Sequence, residues 1–151
     1  MELAKKLINT AHDNGIWVKV NVLLYAGETM GSIQETVNWL SKLRKAIKGV
    51  SVGPVIVYGL QADTKEFVRE LEDIGAAAIE TDMLGVTNIS PSEEIDYKKS
   101  IEISKSISQE FMTAKDYYDL KSFSYFSRDY TYRNFKQDIK MLCQDDLSFK
   151  I

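Results

Sequence analysis

The stretch Gly15-Ile16-Trp17-Val18-Lys19-Val20-Asn21-Val22-Leu23-Leu24-Tyr25-Ala26-Gly27-Glu28-Thr29 decides the fold. Ile16 to Tyr25 is dense in β-branched and aromatic residues, which suit a pleated, half-buried surface, so it predicts a strand. Alternation sets Lys19, Asn21, Leu23 and Tyr25 on one face and Val18, Val20, Val22 and Leu24 on the other. Apolar residues point both ways, as in a parallel strand with one face under helices. The polar-bearing face is then the interior one, where Asn21 can meet a ligand, while the helix-covered face wants Val and Leu. Upstream, Leu3, Leu7, Ile8 and Ala11 recur at helical spacing and Asn14-Gly15 reads as a helix stop. Downstream, Ala26-Gly27-Glu28-Thr29 breaks the strand. Ser32 with Glu35 then predicts a capping box for a helix carrying Ile33, Val37, Leu40 and Ile47 to a stop at Gly49.

The same alternation continues. Val50 to Tyr58 predicts a second strand, with Pro54 marking an edge or a late start at Val55 because proline cannot donate to a ladder. A helix beginning near Asp63 carries Phe67, Val68, Leu71 and Ile74 to Gly75. Ala76 to Asp82 fits neither period cleanly, and Leu84 to Ile89 predicts a third short strand. Ser90-Pro91-Ser92 opens a helix through about Glu110, Thr113 and Asp116 cap a shorter one, and Phe135, Ile139 and Leu142 mark a last helix. Strands alternating with helices of this length predict βαβ units, a parallel sheet and an α/β fold.

Composition excludes more than it selects. The 151 residues are 44% hydrophobic and 27% charged with net charge −3, which offers no basic excess to nucleic acid or to an anionic membrane surface. No apolar run approaches the roughly 18 residues a bilayer span requires, so the expected location is cytoplasmic. The single cysteine, Cys143, rules out an internal disulfide and reads as a small buried residue on a late helix. The single histidine, His12, reads as a cation at a helix C-terminus. One of each cannot build a zinc site or a Cys–His nucleophile pair.

In parallel α/β folds ligands gather at the carboxyl ends of the strands. Three loops follow such ends: Tyr25 to Thr29, Tyr58 to Gln61, and Asn88 to Pro91. Gly27 lets backbone approach a ligand, and Glu28 can accept from ribose hydroxyls or an ammonium group. The plainer reading of the same residues is a strand-to-helix turn with Glu28 in solvent. Tyr58 combines an aromatic face with the open backbone of Gly59, although a tyrosine there also serves as a half-buried packing residue.

The run from Gly15 to Thr29, followed by Ser32-Ile33-Gln34-Glu35-Thr36, resembles a late strand of the radical S-adenosylmethionine enzymes. The Val50 to Tyr58 strand and the Asn88 to Pro91 segment are compatible with that family's remaining strands, so the resemblance covers about residues 1–110. It implies the C-terminal half of a partial TIM-type barrel: two or three parallel βα units over residues 1–92, then a helical, aromatic-rich tail over 93–151. A complete eight-fold barrel needs about 250 residues, so this chain corresponds to a half or fragment. The family binds S-adenosylmethionine beside a four-iron four-sulfur cluster held by a Cys-x3-Cys-x2-Cys loop, and generates a 5′-deoxyadenosyl radical that abstracts hydrogen from substrate. Those cysteines are absent here. The resemblance therefore implies a partial S-adenosylmethionine site, formed by Asn21, Tyr25, Gly27, Glu28, Thr29 and Tyr58. It also implies a cluster-bearing N-terminal half or partner chain, and a small-molecule or peptide substrate. The contrasting reading is a non-catalytic α/β module that docks a partner through its sheet edge and aromatic tail.

That tail holds half of the chain's aromatic residues between Tyr117 and Phe135. A base-stacking platform requires aromatics in a basic groove. Asp116, Asp119 and Asp129 lie among them, so packing against the barrel or a partner is the expected role, ahead of substrate recognition.

Overall fold

The computed structural model describes residues 2–79, 81, 83–122 and 129–142. Its elements run α1 (Glu2–Asp13), β1 (Lys19–Leu24), α2 (Met30–Ser41), β2 (Gly49–Pro54), β3 (Ile56–Tyr58) and α3 (Gln61–Asp73). They continue with β4 (Ala77–Ile79), β5 (Val86–Ser90), α4 (Tyr97–Phe111), α5 (Ala114–Ser122) and α6 (Tyr132–Leu142). The fold is mixed α/β, as the alternating pattern predicts. β1 and β2 make a two-stranded parallel sheet, and β3, β5 and β4 make a separate antiparallel sheet in that order. No closed barrel forms among the described residues.

Three expectations need correction. Val50 to Tyr58 is two strands: β2 ends at Pro54, which lacks a ladder donor, and the amide of Val55 donates to the Leu24 carbonyl at 3.2 Å before β3 begins. The third strand is present but antiparallel, with Ile56 opposite Asn88 and Tyr58 opposite Val86, and β4 joins its other edge with Ala77 opposite Ser90. The helix expected to run to Gly49 stops at Ser41. Leu43 and Ala46 follow in turns, with Ile47 just after them, and all three are buried, so packing overrides a helical stripe that no local breaker interrupts.

Helix ends follow the sequence more closely. Gly15 (φ 73) and Gly75 (φ 94) each end a helix in the left-handed region that favours glycine. After Gly75, the amide of Ala76 reaches back to the Leu71 carbonyl at 3.1 Å, which also brings the two apolar side chains of this Schellman motif into one core. Thr113 and Asp116 cap α5 reciprocally, the Asp116 amide donating to the Thr113 hydroxyl oxygen and the Thr113 amide to the Asp116 carboxylate.

The chain divides into two compact units. One comprises residues 21–42 and 52–104. Its core is Val55, Val57, Leu71, Ala76 and Ile89, with Ala26 and Val68 packed against it. The other comprises residues 1–20, 43–51 and 105–151. Within it the Arg44 guanidinium donates to the Glu110 carbonyl at 2.5 Å and covers the Phe111 ring, and Lys48 pairs with Asp116 at 2.7 Å. Phe135 is buried among Tyr117, Tyr118, Tyr130 and Tyr132, and the Tyr118 hydroxyl donates to the Tyr130 carbonyl. These aromatics pack on one another, the stacked rings of Tyr117 and Phe135 lying 5.9 Å apart. Phe123, Tyr125, Phe126, Arg128 and Cys143 lie outside the described residues.

Candidate functional site

The loop leaving β1 is built by its own hydrogen bonds. The Glu28 amide donates to the Tyr25 carbonyl at 3.3 Å, closing a four-residue turn whose third position, Gly27, has φ 82. A type II turn demands positive φ at that place, which explains the glycine. The Gly27 amide donates to the Pro91 carbonyl at 2.8 Å, and the Ser92 hydroxyl donates to the Glu28 carbonyl at 2.7 Å. Thr29 is the N-cap of α2: its hydroxyl accepts from the Ser32 amide at 3.1 Å, and the Ser32 hydroxyl accepts from the Thr29 amide at 3.0 Å. The cap expected at Ser32 with Glu35 thus sits three residues earlier, with Ser32 in the reciprocating place. The Glu94 carboxylate accepts from the Met30 amide at 3.2 Å, an anion at the helix N-terminus.

Every amide from Gly27 to Met30 is therefore committed inside the chain. The Glu28 carboxylate is itself hydrogen-bonded to the Ser32 hydroxyl. Gly27, Glu28 and Thr29 hold the loop's shape, and the acceptors left in and beside it are loop carbonyls, the remaining lone pairs of the Glu28 carboxylate and side chains on the adjoining strand. There the alternation is plain. Leu24 is 2% exposed, whereas Asn21 is exposed, Leu23 is 56% exposed and Tyr25 40%. Asn21, Leu23 and Tyr25 form a ribbon of one amide, one aliphatic and one phenol leading up to Gly27. Comparison with protein-family models, with curated proteins and with solved structures finds no match for this chain.

Tyr58 sits elsewhere in its bonding. It ends β3 and is 73% exposed, and the following Gly59 amide donates to the Gly85 carbonyl at 2.9 Å. Gly59 and Gly85 both line a cleft of about 880 Å³ along one face of α3, with β5 and the segment before it opposite. The sequence reading missed this cleft. The readable signal was Lys65, Val68, Arg69 and Glu72 recurring at one helical face, but it becomes a cleft wall only once β5 turns antiparallel. In the other unit, His12 lies in the last turn of α1 as expected and lines a smaller pocket of about 300 Å³ with Trp17.

No group of three or more His, Cys, Asp or Glu side chains is placed to hold a metal ion among the described residues. No helix among them is long and apolar enough to cross a membrane.

Proposed function

We propose that this chain supplies late βα units of a radical S-adenosylmethionine barrel. The exposed β1 face would form the adenosine-side wall and part of the substrate cavity once a cluster-bearing segment is joined to it. The observation that carries this reading is the one-sided exposure of a parallel strand: Leu24 is buried while Asn21, Leu23 and Tyr25 lie open. An amide complements the edge of a purine, offering both donor and acceptor, and a phenol ring offers it a stacking surface worth about 1–3 kcal/mol per base. The iron–sulfur cluster does not fit this chain. Its three thiolates cannot come from one cysteine, so the chain contributes binding and shape rather than electron transfer.

The test is a heteronuclear NMR titration of the chain with S-adenosylmethionine. Saturable shifts centred on Asn21 to Thr29, weakened about tenfold in N21A/Y25A, are expected, which corresponds to about 1.4 kcal/mol. Shifts absent at millimolar ligand, or unchanged in the double variant, would overturn the reading. Anaerobic reconstitution with iron and sulfide should give no stoichiometric cluster absorbance on the chain alone.

A second reading, a non-catalytic module that docks a partner, is favoured by the apolar residues left open in the unit holding α1: Leu3, Leu7, Ile16 and Trp17 are each more than half exposed. It predicts a silent titration.

A further inference from the structure

The cleft beside α3 is independent of the β1 face and of the reading built on it. Its volume of about 880 Å³ lies within the range of small-molecule sites, roughly 300–1,000 Å³. Three features give it a chemical preference. First, Lys65 and Arg69 stand one helical turn apart on the wall that α3 presents, and neither makes a hydrogen bond or ion pair among the described residues. Two cations at such spacing repel each other mildly and gain from an anion placed between them. Second, the opposite wall carries hydroxyls rather than carboxylates among the described residues, from Thr81 and Thr87. The Thr81 hydroxyl donates its proton to the Val86 carbonyl at 2.8 Å, so the Thr87 hydroxyl is the donor this wall can offer among the described residues. Third, the only acid among the described residues lining the cleft is Glu72. It is seven residues beyond Lys65, about 10 Å along the helix at 1.5 Å per residue, and three beyond Arg69, so the Lys65 end of the cleft is the cationic one.

The glycines at the cationic end matter as well. Gly59 has φ 137, and a Cβ there would stand 2.8 Å from the Thr64 methyl, so the chain turns tightly into α3 with no side chain in the way. The N-cap of that helix, Leu60, provides no side-chain acceptor for the first-turn amides. That turn carries its own acid, Asp63, and the Asp63 amide donates to the Leu60 carbonyl at 2.9 Å, so the preference for an anion rests on Lys65 and Arg69.

From these features we infer that the cleft between α3 and β5 binds a small anionic ligand, a phosphate or carboxylate group seated between Lys65 and Arg69. The two sources of that charge share one recognition chemistry, and the experiment separates them. Inorganic phosphate and succinate would be titrated in parallel into the ¹⁵N-labelled full chain at low ionic strength. Saturable shifts at Gly59, Gln61, Ala62 and Thr87 are expected with at least one of the two, and the tighter one names the class. K65Q and R69Q should each weaken that binding about tenfold, equivalent to about 1.4 kcal/mol. E72Q should leave it unchanged or tighten it. Glutamine keeps helix propensity at these exposed sites, and circular dichroism checks that each variant folds. The inference is overturned if neither anion saturates, if K65Q/R69Q binds like the parent, or if E72Q loses binding. Because the shifts here and on Asn21 to Thr29 are read separately, either proposal can fail without the other.

Discussion

Replacing Gly27 by alanine tests whether the β1 exit loop is held by backbone geometry. Gly27 has φ 82, and a Cβ there would stand 3.2 Å from the Ile74 carbonyl oxygen. Gly75, in the same unit, is the natural reference. Its φ is 94, yet a Cβ would meet nothing within 4 Å. An L-residue in the left-handed region costs about 1–2 kcal/mol, and alanine recovers about 0.4–1 kcal/mol by restricting the unfolded chain. G75A should therefore cost about 1 kcal/mol. G27A carries the same strain plus a contact with backbone that cannot rotate away, and it loosens the turn that aims the Gly27 amide at Pro91. It should cost about 2 kcal/mol, or about 4–8 °C in Tm for a chain of this size. Urea unfolding, followed by Trp39 fluorescence in a W17F background, reports the unit that contains both glycines. If G27A costs no more than G75A, the Ile74 contact has no energetic weight and the reasoning fails. If neither differs from the parent, the left-handed assignments fail too.

Two further perturbations address other joints. T29A removes the acceptor for the Ser32 amide and should cost about 1 kcal/mol, with T29S restoring most of it in the same urea series; a neutral T29A would show that α2 is capped by other means. Burial desolvation pushes the Asp116 carboxyl up, but the Lys48 ammonium and the Thr113 hydroxyl and amide outweigh it and hold the group below its ordinary 3.8. A depressed carboxylate contributes stability above its unfolded value and loses it as pH falls through the folded one. The parent should thus exceed D116N at neutral pH, and the gap should close below about pH 3.8. A gap that persists at pH 2 would disprove the linkage.

Local chemistry was legible where it was self-contained. Gly15 and Gly75 announced helix ends, Thr113 and Asp116 announced a cap, and the β1 alternation announced which face is buried. Misreadings came where partners are distant in sequence. Ser90 and Ser92 look like the start of α4, but the Ser90 hydroxyl accepts from the Tyr97 amide and Ser92 is turned to Glu28. The α4 cap falls to Asp96, whose carboxylate accepts from the Lys99 amide at 2.7 Å. The direction of β5 was equally hidden: a five-residue strand has the same period in either orientation, and only pairing with β3 and β4 fixes it. At the candidate site, Asn21 and Tyr25 were readable from the pleat. The engagement of the Gly27 to Met30 amides was not, because two of their acceptors lie more than sixty residues away, at Pro91 and Glu94.

That engagement decides how the β1 face can change its preference. A loop that reads ligands with its own amides writes its specificity into the fold, and altering it means rebuilding a turn. Here the amides from Gly27 to Met30 are engaged within the chain, so the donors this face can offer are side-chain groups, and those at positions 21, 23 and 25 are exchangeable. If the proposed role of this strand holds, its preference would be modular: Asn21, Leu23 and Tyr25 can be exchanged while the turn, the cap and the α2 start stay as they are.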